Sequence, residues 1–351
     1  MSEIKRSVSL YSYQDEYYDG KLDLEGALRE TAATGATGVE LLAEQMIKRF
    51  PKPIETEEFR EKWFGWLKKY NLEPSCYDAF LENRIFDNRT LSLGEQINMM
   101  KRDIRLASLL GFPNLRTLVS TPMDVIEGSL EYAEKMGVKI GLEVHAPFSL
   151  NSGWADGYME MINRTGTKFF GFIPDMGIFC RNIPDVVRDK ARRKGAKEEC
   201  IKIVDDAYAK RIAKGFVKIK YDLNLGKANM EYRMANGMQE MMDAVKNAGG
   251  GPADMEYAGS SFTYSWSEPQ DIIDNIDYIF HTHAKFYNMH EDYTETAVAI
   301  PEVVDAFKKA GYKGFLSSEY EGGEHLRADM EVDSIEQVRR HQEALRRAIE
   351  E

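Results

Sequence analysis

Eight short apolar or β-branched runs, separated by amphipathic stretches, predict an α/β chain that folds as one (β/α)8 barrel, a TIM barrel, over residues 1–351. Two further observations support this. The length of 351 residues suits a single barrel carrying an insertion. Four of the runs also end on a residue able to bind a hard divalent cation: Glu143 in GLEVHAP, Asp175 in FGFIPDMG, His283 in YIFHTHAKFY and Glu319 in GFLSSEYEG. In a parallel barrel these four side chains converge at the carboxyl ends of the strands, where such barrels carry out their chemistry.

The elements follow in order. Strands are predicted over Ser7–Tyr13, Gly38–Leu42, Leu72–Phe80, Leu115–Val119, Lys139–His145 and Lys168–Pro174. Helical patterns lie between them over Leu24–Thr34, Leu93–Leu110, Asp124–Met136 and Tyr158–Thr165. Gly35 and Gly38 punctuate the entry to the second strand, Gly111–Phe112–Pro113 the entry to the fourth, and Gly137 the entry to the fifth. Strands over Tyr278–Lys285 and Gly314–Glu319 complete the eight. A closing helix starts near Ser334, where Asp333 and Glu336 stand at capping-box spacing.

The rhythm breaks once, between Asp175 and His283. This stretch reads as a helical insertion over 181–276, with helices over Ile183–Gly195, Glu198–Ile212 and Met230–Lys246. An exposed run, KGFVKIKYDL, lies among them, and Gly249–Gly250–Gly251–Pro252 leads into MEYAGSSFTYSWSEP. Excursions of this length serve as lids or partner surfaces, or form plain solvated decoration.

Composition narrows the function classes. A formal charge of −12 and a pI near 5.2 disfavour nucleic acid as the partner, because phosphate binding needs a basic face. No run approaches transmembrane length, and MSEIKRSVSLYSY enters a strand pattern with no signal-peptide character. Cys76, Cys180 and Cys200 lack metal-type spacing. The expectation is a cytoplasmic protein with no membrane partner.

Two Glu, one Asp and one His form an oxygen-rich donor set for Mn²⁺, Mg²⁺ or a similar ion. Glu143 and His145, at i and i+2 on a strand, face the same side. Such a pair suits proton abstraction beside a carbonyl, the imidazole acting as base. His145 is equally readable as a strand-end histidine bonded to backbone. Asp175, between Pro174 and Gly177, is either a ligand or a turn former. His281, His283 and Lys285 share one face and are costly to bury without partners. His283 is favoured as the ligand with His281 behind it, the reverse remaining open. Lys285 is a candidate to neutralise or protonate a substrate oxygen. Glu321 either supports the site or is exposed. Glu40 ends the second strand and can contact a sugar hydroxyl. Asn151 and Trp154 fall in the loop after the fifth strand, where the indole either stacks on a pyranose or packs the loop.

A Glu, Asp, His and Glu ending the fifth to eighth strands, the His within an H-x-K triplet, together resemble the xylose-isomerase-like barrel superfamily, with its sugar phosphate isomerases, ketose 3-epimerases and inosose dehydratases. The resemblance covers almost the whole chain. It implies that Glu143, Asp175, His283 and Glu319 bind one divalent ion, commonly Mn²⁺, with Mg²⁺ or Co²⁺ as alternatives. Within the superfamily, GLEVHAP, IPDMGIF, HTHAKFY and SSEYEG look like the alpha subunit of bacterial C-glycoside deglycosidases. That resemblance implies a lyase acting on 3-oxo-C-glycosides. His145 removes the C2 proton, the aglycone leaves by β-elimination, and a small beta subunit completes a hetero-oligomer. Ketose 3-epimerases carry an Arg soon after the seventh-strand ligand and need no His at position 145. Here His283 is followed by AKFYNMHEDYTET, with no Arg before Arg327. Both departures favour the deglycosidase over a metal-dependent isomerase, epimerase or dehydratase. A non-catalytic sugar-binding barrel is the further alternative, and a three-metal endonuclease is disfavoured by six His and the acidic charge.

Overall fold

The computed structural model describes residues 3–351 apart from 221, 223 and 328. Eight parallel strands form a nearly closed barrel: β1 (Lys5–Ser9), β2 (Gly38–Leu41), β3 (Glu73–Asp78), β4 (Asn114–Thr117), β5 (Lys139–Val144), β6 (Phe170–Pro174), β7 (Thr282–Phe286) and β8 (Phe315–Tyr320). Neighbours in sequence are neighbours in the sheet, and β1 pairs with both β2 and β8. The remaining seam, between β6 and β7, is spanned by bridges from Phe172 to Ile279 and from Asp175 to His283. Gly171 permits this approach, since a Cβ there would lie 2.3 Å from the Tyr278 carbonyl oxygen. The strands are covered on both faces, so β2 and β6 are buried along their whole length, as parallel strands are in α/β folds.

Several boundaries differ from expectation for local reasons. The first strand stops at Ser9, and Leu10–Tyr13 turns as a 3-10 helix. Ser12 fixes that turn by donating to the Ser318 carbonyl at 3.0 Å and accepting from the Tyr320 amide at 2.9 Å. The seventh strand starts at Thr282, with Ile276–Tyr278 forming a 3-10 turn before it. The helix expected at Tyr158 begins five residues earlier, spanning Gly153–Thr165. A helix over Glu57–Tyr70, capped by Thr56 and ended by left-handed Asn71, was not anticipated, because charged residues hide its two buried positions, Trp63 and Leu67. The stretch Asp124–Met136 divides at Gly128 into Met123–Glu127 and Leu130–Met136. The closing helix spans Ser334–Glu350, with Asp333 accepting from the Glu336 amide at 2.9 Å.

Between β6 and β7 lie helices over Asp185–Arg193, Glu198–Lys214, Leu225–Ala235, Met238–Asn247 and Pro252–Ser260. The helix expected over Met230–Lys246 is two helices, separated at Gly237, whose φ of +82° is left-handed. Of the run KGFVKIKYDL, positions 221 and 223 lie outside the described residues. Among the described residues no helix is long and apolar enough to cross a membrane.

Candidate active site

Seven of the eight strands deliver an ionisable side chain to the carboxyl end of the barrel or just beyond it. Glu40 comes from β2, Asp78 from β3, Arg116 from β4, Glu143 from β5, Asp175 from the exit of β6, His283 and Lys285 from β7, and Glu319 from β8. Parallel register sets Asp78 beside Arg116 and Lys285 beside Glu319. All are buried.

His283 is the hub. Its Nδ1 lies 3.0 Å from Glu143 Oε1 and 3.2 Å from Glu319 Oε1, while Nε2 lies 3.1 Å from Glu40 Oε1. One donor atom each from Glu143, His283 and Glu319 falls within 4.8 Å of the others, close enough to share a metal ion. Burial opposes a proton on His283, but Glu319 and Glu40 outweigh it and hold the imidazole well above its ordinary value. Behind it, His281 Nε2 donates to Glu40 Oε2 at 2.5 Å. His281 thus stands one layer away from the cavity, bonded to Glu40 rather than to the Glu143–His283–Glu319 cluster.

Asp175 stands beside this cluster with two existing partners. It accepts from the Gly177 amide at 2.7 Å, as a turn former does, and it forms an ion pair with Lys285. Lys285 Nζ also lies 3.0 Å from Glu321 Oε1 and 3.5 Å from Glu319 Oε2. Burial pushes Asp175 up to about 6 despite Lys285, with Glu319 and Glu143 adding to the rise. Burial also works against the charge of Lys285, yet Asp175, Glu321 and Glu319 together hold it well above the usual lysine value. Lys285 is therefore a fixed cation at neutral pH.

A cavity of about 470 Å³ opens over these groups, bordered by Arg116, Glu143, His145, Asp175, Lys285 and Glu319. His145 is half-buried, and its Nδ1 lies 2.9 Å from the Ala146 carbonyl oxygen. A carbonyl only accepts, so a neutral His145 carries its proton on Nδ1 and leaves a lone pair on Nε2. His145 is thus bonded to backbone, as one of its two sequence readings has it, and it also borders the cavity.

Two expected contacts are corrected. Trp154 does not border the cavity. It is fully buried on the helix Gly153–Thr165, packed against Phe148 at 4.8 Å and Tyr158 at 5.2 Å. Asn151 is turned away, its amide donating to Asp271 at 2.7 Å and accepting from Asn275 at 3.0 Å. The aromatic wall is instead Tyr264 and Tyr287, whose rings meet edge to face at 5.5 Å. Tyr264 arrives from the long stretch between β6 and β7, which therefore helps to build the cavity.

Arg116 and Asp78 were missed from sequence. Arg116 Nε lies 3.2 Å from Asp78 Oδ1 and 3.8 Å from Glu143 Oε2. Burial resists its charge, but Asp78, Glu143, Glu319 and Glu40 raise it further. Arg116 Nη1 has no hydrogen-bond partner. The available signal was a charged residue inside a strand of only four residues, Asn-Leu-Arg-Thr.

No family model matches the chain. A C-glycoside deglycosidase alpha subunit from Arthrobacter globiformis is 28% identical over 354 residues, covering 100% of this chain and 94% of that protein. Two further relatives, at 26% and 27% identity, are also C-glycoside deglycosidase alpha subunits. A 3'-dehydrocarminate deglycosidase alpha subunit from a Microbacterium species is 25% identical over 319 residues, covering 90% of this chain and 87% of that one. Among solved structures, D-allulose 3-epimerase from a Methylomonas species, in complex with D-allulose, is 9% identical with a TM-score of 0.54, covering 99% and 98% of the two chains. The fold is thus a barrel like that of this epimerase, while the deglycosidase relatives match 90% or more of the chain at 25–28% identity.

Proposed function

We propose that the chain is the catalytic alpha subunit of a divalent-metal-dependent C-glycoside deglycosidase, which cleaves the carbon–carbon bond between a 3-oxo sugar and its aglycone. The observation that carries this reading is His145, which borders the cavity beside the Glu143–His283–Glu319 cluster while its Nδ1 is engaged by the Ala146 carbonyl, so that Nε2 is the nitrogen left to act as base.

The donor set fits a hard cation. Glu40, Asp78, Glu143, Asp175, Glu319 and Glu321 surround only two permanent cations, Arg116 and Lys285, and Glu319 Oε2 has no hydrogen-bond donor. Glu143, His283 and Glu319 would hold the ion, with Asp175 joining once Lys285 yields it, and three carboxylates with one imidazole suit Mn²⁺. Bound there, such an ion polarises the sugar carbonyl and makes the neighbouring C–H more acidic.

The chain's own residues supply the remaining steps. His145 Nε2 takes the C2 proton, and the electron pair forms the enolate across C2 and C3. Lys285 and Arg116, both fixed cations, stabilise the oxygen on which charge develops. As the carbonyl re-forms, a C1–C2 double bond forms and the C1–aglycone bond breaks. The departing carbon receives a proton, and His145, protonated by the first step, is a cavity group able to return one. Tyr264 and Tyr287 offer an aromatic wall for the aglycone. The names of the relatives support a partner beta subunit.

The test is incubation of the full chain, with and without its candidate partner, with Mn²⁺ and a 3-oxo-C-glucoside. Release of free aglycone, abolished in His145→Ala, is expected. Epimerised sugar with no aglycone release would replace this reading with that of an isomerase or epimerase.

A further inference from the structure

Lys285 is ringed by three carboxylates. It forms an ion pair with Asp175, and its Nζ lies 3.0 Å from Glu321 Oε1 and 3.5 Å from Glu319 Oε2. The three are not equivalent. Glu319 belongs to the group able to share an ion, and Asp175 is the further carboxylate that such an ion would draw in. Glu321 stands outside that set. Its side chain is 30% exposed, against 1% for Asp175 and 2% for Glu319, which places it at the rim of the cavity.

The surroundings leave the ammonium few other seats. Pairing of Lys285 with Glu319 in the sheet fixes its backbone. Its stem passes Gly177 so closely that a Cβ there would lie 3.1 Å from Lys285 Cδ. The side chain is only 9% exposed, so retreat into water is closed to it. Among the described residues no other carboxylate pairs with it. Glu321, by contrast, is held beside the end of β7 by its own backbone. Its amide donates to the Phe286 carbonyl at 3.1 Å. The next residue, Gly322, packs so closely on Tyr287 that a Cβ would lie 1.7 Å from the Tyr287 carbonyl oxygen.

A divalent ion that takes Asp175 and Glu319 removes two partners of Lys285 and brings like charge next to its ammonium. A buried cation stripped of its counter-charge is costly. Resting on the metal reading above, we propose that Glu321 is a positioning residue, which takes over the Lys285 ammonium that the ion displaces from Asp175. The metal and the lysine cation are thereby held in one cavity, and Lys285 stays where charge develops on the substrate oxygen.

Mn²⁺ is titrated by calorimetry into the unaltered chain, Glu321→Gln, Lys285→Met and the double variant. Glu321→Gln keeps the size of a partly exposed side chain and removes only its charge. With Lys285 present it should weaken Mn²⁺ binding by about tenfold or more. In the Lys285→Met background no ammonium needs a seat, and the same substitution should change the affinity by less than about threefold. Glu321→Ala, taken through the same comparison, should show the same dependence on Lys285. Equal losses in both backgrounds would mean that Glu321 is a metal ligand or acts only through its charge, and would overturn the proposal. Affinity untouched by Glu321→Gln beside an intact Lys285 would overturn it as well, while leaving the metal reading in place. An unaltered chain that binds no Mn²⁺ would remove the metal reading and this proposal together.

Discussion

Nε2 of His281 donates to Glu40 at 2.5 Å, and the other oxygen of the same carboxylate lies 3.1 Å from Nε2 of His283. Glu40 is thus clamped between two imidazoles and fixes the ring that presents Nδ1 to Glu143 and Glu319. Groups behind a ligand orient it and tune its basicity. Glu40→Gln places an amide N–H against one of those imidazoles. Its Mn²⁺ affinity, measured by calorimetry, should fall about 10- to 100-fold. Unchanged affinity would show that Glu40 does not position His283.

Lys285 competes with any cation for Asp175. Lys285→Met frees that carboxylate and removes one positive charge from a site rich in acids. Divalent metal should therefore bind more tightly in the variant. Turnover should nevertheless fall by about 10²–10³, the usual loss when a group that stabilises an oxyanion is removed. Weaker metal binding in Lys285→Met would argue that Lys285 supports the metal site rather than competing with it.

The strand-end rule singled out Glu143, Asp175 and Glu319, which stand at or next to the ends of β5, β6 and β8, and His283, which stands near the start of β7 yet meets Glu143 and Glu319; periodicity of that kind survives in a single sequence. The same rule failed for Asp78, since the third strand was expected to run on to Phe80 and left the Asp in its interior. Arg116 escaped because β4 is only four residues long and carries no run to mark its end. Of the two roles left open for Trp154, packing is the one realised, through a boundary. A helix starting at Gly153 carries the indole onto a buried face, against Phe148 and Tyr158. The contact between Lys285 and Asp175 joins residues 110 apart, and neither local pattern announces the other.

The pair Arg116–Asp78 gives a stability prediction. Both groups are buried, and burial raises Asp78 well above its ordinary value even with Arg116 beside it. Arg116→Met leaves a buried acid without its cation, and breaking such a pair costs about 3–5 kcal/mol. The double variant Arg116→Met/Asp78→Asn should recover most of that loss in urea denaturation while remaining far less active. A double variant as unstable as the single one would mean that Arg116 contributes through packing and not through the pair.

His341 gives a pH dependence away from the cavity. Its ring stacks on Phe286 at 4.0 Å, Nδ1 lies 2.7 Å from Ser318 Oγ, and burial pushes its pKa down to about 3. The unfolded chain takes up this proton near pH 6.5, so between about pH 6.5 and 3 the unfolded state binds more protons than the folded one. Stability contributed by neutral His341 is therefore complete above pH 6.5 and is lost as pH falls toward 3. The full shift corresponds to on the order of 5 kcal/mol. His341→Phe keeps an aromatic ring against Phe286 and cannot take up a proton. Its unfolding free energy should fall less between pH 8 and pH 5 than that of the unaltered protein. Equal losses over that interval would place the acid sensitivity in the carboxylates instead.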